Sequence, residues 1–179
     1  NASWFLPIFF GAFGPIVIML GMHYAVTIPL ALAATQAFGF DMLGAGFLVA
    51  NIAQGAAALA VMVQAKNKDF RSLAFSTGIS AILGTTEPAL YGVNLRLKKP
   101  LYATIIGGAV GGIFCGVLGV KRIVFGPTGL TSIVIFIDPN NVWNFVFAIA
   151  AVILTFVVTF ALTYVMIRKG AAMQKEIGG

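Results

Sequence analysis

The sequence predicts an all-α polytopic membrane protein, built from transmembrane helices with one or two re-entrant hairpins. Of its 179 residues, 60% are hydrophobic and only 9% charged, with a mean hydropathy of +1.00. That is too apolar for a soluble domain of this length. The few charges also fall in short clusters between long uncharged runs. The hairpin expectation comes from Glu87, a carboxylate reached by an apolar approach too short for a full crossing.

Composition excludes several function classes. The net charge is +6, but basic residues sit at the edges of apolar runs, where they orient a membrane protein; this does not read as a nucleic-acid surface. The lone cysteine, Cys115, excludes an internal disulfide framework and most cysteine-based metal sites; no metal ion or cofactor is expected. The 21 glycines fit close helix packing and broken helices. No charged segment precedes the first apolar run, so no signal peptide is indicated. No soluble domain is expected, and the chain reads as a piece of something longer.

Residues 1–40 carry no Asp, Glu, Lys or Arg, a length suited to two helices at ~20 residues per span. Pro7, Pro15 and Pro29 are expected to kink or interrupt them. His23 lies mid-stretch and Asp41 closes it. Residues 42–65 form a third apolar segment, containing Asn51 and Gln54. Lys66, Lys68, Asp69 and Arg71 then read as a short basic loop. A second basic cluster follows at Arg96, Lys98 and Lys99. If positive clusters stay cytoplasmic, both ends of residues 72–95 lie on one side, as in a hairpin with Glu87 near its tip. One short tilted span is the alternative. Residues 101–120 form a span with glycine faces at Gly107, Gly108, Gly111, Gly112, Gly116 and Gly119. Lys121 and Arg122 would lie outside. Residues 123–137 are apolar but broken by Gly126-Pro127-Thr128-Gly129, which suggests a second partial entry. Asp138-Pro139-Asn140-Asn141 is a turn. Residues 142–167 form the strongest span, with Trp143 and Tyr164 near its ends, and Arg168, Lys169 and Lys175 follow.

Glu87 is the strongest candidate for chemistry. A charge within a lipid-embedded chain costs ~2.5–3.5 kcal/mol or more, so such a residue usually faces a cavity or a partner. Pro88 is expected to bias Glu87 away from the α region, and Gly84 permits a bend before it. The bland reading of Glu87 is a helix cap or a wet hairpin tip. His23 can donate or accept a hydrogen bond near neutral pH, or can simply be satisfied between helices. Asn51, Gln54, Thr85 and Thr86 can contact a solute, or can bond other helices and freed backbone groups. Cys115 reads as packing. No catalytic role is assigned outright; Glu87 and His23 are the candidates.

The stretch Gly84-Thr85-Thr86-Glu87-Pro88-Ala89-Leu90-Tyr91-Gly92-Val93 resembles a motif of the membrane (IIC) component of bacterial phosphotransferase-system sugar permeases. The likeness is to the glucose superfamily, β-glucoside/sucrose/trehalose branch. Gly21-Met22-His23-Tyr24 resembles the family's Gly-x-His motif, and Ala50-Asn51-Ile52-Ala53-Gln54-Gly55-Ala56 its Ala-Gln-Gly-Ala segment. Thr85 departs from the usual isoleucine. The resemblance implies that residues 1–179 are the substrate-binding, C-terminal half of a IIC domain in the bacterial inner membrane. It implies a substrate site at His23 and Glu87, with Thr85, Thr86, Asn51 and Gln54 nearby. It implies a β-glucoside or disaccharide substrate, phosphorylated during uptake by a phosphocysteine on a soluble IIB domain, making the chain part of a sugar phosphotransferase. The implied partners are that IIB domain, the N-terminal half of IIC and a second copy in a homodimer. Two alternatives come from other classes. One is half of an ion-coupled transporter using Glu87 and Asp41 as ligands; the other is a structural membrane subunit.

Overall fold

The computed structural model describes residues 3–21 and 23–168. Every regular element among them is helical. Lipid offers no hydrogen bonds, so a spanning backbone must pair within its own segment. The α-helices are α1 (Phe5–Met19), α2 (His23–Phe38), α3 (Leu43–Gln64), α4 (Lys68–Leu83), α5 (Glu87–Ala89), α6 (Leu95–Leu97), α7 (Lys99–Leu118) and α8 (Val142–Arg168). A π-helical turn (Leu90–Asn94) joins α5 to α6, and a 3₁₀ segment (Leu130–Phe136) precedes α8. The protein is an all-α membrane protein: α3, α7 and α8 are each long and apolar enough to cross a bilayer.

α3 is the centre. It is buried along almost its whole length, and α1, α4, α7 and α8 pack around it. A helix that is apolar on all sides belongs inside a bundle. The glycine faces expected on α7 are used in two directions. Gly108, Gly112 and Gly116 back onto α1, where a Cβ would collide with the carbonyls of Gly11, Pro7 and Trp4. Gly107 and Gly111 instead receive Thr159 and Thr155 of α8. Backbones approach closely at such small-residue seams, which replaces the hydrophobic drive that lipid removes.

The first uncharged stretch does form two helices, but not with the expected breaks. Pro7 lies in the first turn of α1, where its missing N–H costs little. Both helices continue through Pro15 and Pro29. The interruption falls at Leu20 and Gly21, where Gly21 takes a φ of +70°. At ~1.5 Å per residue, α1 (15 residues) and α2 (16 residues) are shorter than a ~30 Å bilayer core.

α4 and the run after it form an antiparallel helical hairpin. Asn67 caps α4, its Oδ1 accepting from the N–H groups of Asp69 and Phe70 at 3.0 Å. Lys68, Asp69 and Arg71 therefore lie on the first turn of α4, not in a loop. Gly84 ends α4 in a left-handed conformation (φ +119°) that only glycine adopts cheaply. The return arm, α5 to α6, runs back along α4. Gly92 faces Leu73, and the Arg96 guanidinium lies 5.1 Å from the Phe70 ring centroid. Lys99 Nζ donates to the Met166 carbonyl at 3.3 Å. Both basic clusters and the C-terminal end of α8 thus gather at one end of the molecule.

The segment after α7 also turns back on itself. Ile123 and Val124 donate backbone bonds to the Ile135 carbonyl at 3.0 and 3.3 Å. Gly126-Pro127-Thr128-Gly129 forms the bend between them. The expected turn at Asp138–Asn141 is present.

Candidate functional site

The two bends meet. A Cβ on Gly129 would collide with the Leu83 carbonyl, and Thr131 Oγ1 donates to that same carbonyl at 3.1 Å. The second bend thereby satisfies an orphan carbonyl at the end of α4. Beside these tips, bounded also by α1, α2 and α3, lies a cavity of about 290 Å³. Ligand cavities commonly span ~300–1,000 Å³, so this one lies at the small end of that range. Ile18, Phe47 and Phe125 give it apolar walls, and His23, Thr27, Asn51, Thr86, Glu87 and Thr128 supply polar groups.

His23 opens α2 and Glu87 opens α5, so two separate helix starts converge. His23 Nε2 lies 3.8 Å from Glu87 Oε1. That is too far for a direct hydrogen bond, and close enough for one hydroxyl oxygen to touch both. His23 Nδ1 is buried without a hydrogen-bond partner among the described residues. The Glu87 side chain is 40% exposed, so the acid is half-open rather than sealed in. It stands at the start of a helical run, where the unpaired N–H groups favour a negative charge. Pro88 does not drive Glu87 out of helical geometry as expected. It occupies the first turn of α5, where proline is tolerated, and Gly84 makes the bend.

Of the residues singled out from sequence, His23, Asn51, Thr86 and Glu87 line the cavity. Asn51 Nδ2 donates to the Thr128 carbonyl and, at 3.3 Å, to its hydroxyl. Gln54 and Thr85 do not line it. Gln54 is fully buried, its backbone carbonyl accepting from Asn94 Nδ2 at 3.2 Å, while its side-chain amide finds no hydrogen-bond partner among the described residues. Thr85 is exposed on the outer side of the tip, its carbonyl accepting from Ser80 Oγ at 3.1 Å. Thr27, Phe125, Thr128 and Arg122 were not candidates. Phe125 and Thr128 had only a loop that interrupts an apolar run as a signal, Arg122 only a charge that ends one, and Thr27 none. Arg122 lies at the expected end of α7 but is buried, its Nε 2.8 Å from Asp41 Oδ2. Among the described residues, no group of three His, Cys, Asp or Glu side chains is placed to hold a metal.

The profile of the family described as phosphotransferase system, EIIC matches residues 1–109. This chain belongs to that family. The EIIC chain is 43% identical to the β-glucoside-specific EIIBCA component of Bacillus subtilis (strain 168), over 84% of this chain and 24% of that protein. It is 35% identical to the arbutin-, cellobiose- and salicin-specific EIIBC component of Escherichia coli (strain K12), over 97% of this chain and 37% of the other. It is 34% identical to the trehalose-specific EIIBC component of the same bacterium, over 87% and 33%. The EIIC chain thus spans between a quarter and two fifths of the length of these relatives. No solved structure matches it. Family membership leaves the ion-coupled alternative without support, and Asp41, one of its two ligands, is bound to Arg122.

Proposed function

We propose that this chain is the sugar-binding, C-terminal half of a multi-pass IIC domain in the bacterial inner membrane, serving uptake of a β-glucoside or related disaccharide coupled to its phosphorylation. The observation that carries the reading is the 3.8 Å approach of His23 Nε2 to Glu87 Oε1 inside a cavity, in a chain of the EIIC family. A carboxylate accepts from sugar hydroxyls, and an imidazole donates or accepts beside it. Such charge-assisted bonds are the stronger, directional kind. The apolar rings of Phe47 and Phe125 suit the C–H faces of a sugar. Thr86 and Thr128 add hydroxyls.

In the transfer step, a sugar hydroxyl attacks the phosphorus of a IIB phosphocysteine. The S–P bond breaks, the thiolate leaves, and the hydroxyl proton passes to Glu87, His23 or water. The residues of this chain contribute position, which supplies much of the acceleration in phosphoryl transfer. The fused EIIBC relatives support a IIB partner. The exposed apolar side of α2, with Val26, Leu30 and Phe38, suits the N-terminal half of IIC or a second copy in a homodimer. The convergence of both basic clusters at one end supports re-entry of the α4–α6 hairpin from the cytoplasmic side.

The test is sugar binding by the full-length protein carrying Glu87→Gln, against a panel of salicin, arbutin, cellobiose, sucrose and trehalose. A charge-assisted hydrogen bond is worth about 1.5–3 kcal/mol, so the expected loss is roughly 10- to 100-fold in Kd, with membrane insertion intact. Unchanged binding would remove Glu87 from the site.

A further inference from the structure

The cavity has two polar sides. One carries His23 and Glu87; the other is the bend Phe125-Gly126-Pro127-Thr128, which has no regular structure of its own. What holds that bend is a buried ion pair 81 residues apart in sequence. Asp41 and Arg122 exchange both backbone bonds, at 3.0 and 2.8 Å. Asp41 Oδ1 accepts from the Gly44 N–H at 2.8 Å, fixing the first turn of α3. Asp41 Oδ2 accepts from Arg122 Nε at 2.8 Å. Arg122 Nη1 then donates to the Gly126 carbonyl at 2.6 Å, and its Cζ lies 4.9 Å from the Phe125 ring centroid. A Cβ on Gly44 would run into the Arg122 side chain, so α3 is shaped to receive it.

We infer that Asp41 and Arg122 are the positioning pair of the sugar site: they clamp the Phe125–Thr128 wall at a fixed distance from His23 and Glu87. The inference rests on the sugar-site reading above. A buried pair contributes little net stability against an apolar replacement. Its value here is geometric. One planar guanidinium reaches a carboxylate, a carbonyl and an aromatic face at once, and lysine cannot do this. Asn51 completes the clamp from α3 through Thr128. Misplacement of a binding wall by ~1 Å can cost as much as 10²-fold.

The experiment uses the full-length protein with Arg122→Lys, compared with Glu87→Gln, and measures Kd for the panel sugar that the unsubstituted protein binds most tightly. A spin label at Pro127→Cys, with Cys115→Ala and every other cysteine of the full-length protein replaced, reports wall mobility without sugar. The expected result is a 10- to 100-fold rise in Kd and a more mobile label, in protein that remains folded. Loss of thermal stability with unchanged Kd and label mobility in the folded fraction would mean a merely structural pair, and would overturn the inference. If Glu87→Gln weakens binding while Arg122→Lys leaves Kd and mobility unchanged, the positioning role fails and the site stands. If Glu87→Gln binds normally, the site reading itself fails. Should Arg122→Lys not fold, Phe125→Leu removes the stacked ring from a half-exposed position. A several-fold rise in Kd with a looser label is then expected, and no change overturns the inference.

Discussion

Asn144 illustrates how much one amide does in a chain with little polar material. It is buried at the start of α8. Its Oδ1 accepts from the Lys121 N–H at 2.8 Å, and its Nδ2 donates to the carbonyls of Lys121 and Phe136 at 2.8 and 2.7 Å. Asn144→Leu would orphan three backbone groups, at ~1–3 kcal/mol for each that stays buried and dry. The expected outcome is a clear fall in the thermal midpoint in detergent, with sugar affinity retained by the folded fraction. Residues were legible in sequence to the extent that they stood out from grease. Glu87 and His23 did, because a polar group in an apolar run needs a reason. Asn51 and Gln54 could not be separated, since they share one segment and only the packing of α3 puts Asn51 at the cavity and leaves Gln54 away from it. Asp41 and Arg122 looked like ordinary edge charges, because their pairing depends on tertiary structure.

At the scale of elements, uncharged run length located α3, α7 and α8 well, for bilayer thickness dictates it. Breaks were harder. Prolines were expected to kink or interrupt α1 and α2; both helices run on through Pro15 and Pro29, and the break falls at Leu20 and Gly21. The π-helical turn at Leu90–Asn94 left no trace in the sequence. It lies where Asn94 reaches across to the Gln54 carbonyl, a contact 40 residues distant, and such turns recur at functional sites. The hairpin has a direct consequence. With Phe70 against Arg96, its two basic ends lie together at one end of the molecule. Lys68→Cys and Lys98→Cys, each with Cys115→Ala and every other cysteine of the full-length protein replaced, should both react with an impermeant thiol reagent from the cytoplasmic side only. Labelling of the two from opposite sides would mean that the segment crosses the membrane.

Across the whole molecule, charge is divided between ends. Lys66, Lys68, Arg71, Arg96, Lys98 and Lys99 gather at one end of the bundle. The buried Asp41–Arg122 pair closes the other. Between them, two chain reversals touch tip to tip and leave a cavity walled by residues from five stretches of the sequence. The central claim is that a sugar sits there, held by His23 and Glu87. A structure of the full-length protein with its tightest-binding panel sugar tests it most directly. The account predicts one sugar hydroxyl within ~2.6–3.2 Å of both His23 Nε2 and Glu87 Oε1, with the ring against Phe47 or Phe125. A sugar bound elsewhere, with that pair unoccupied, would contradict it.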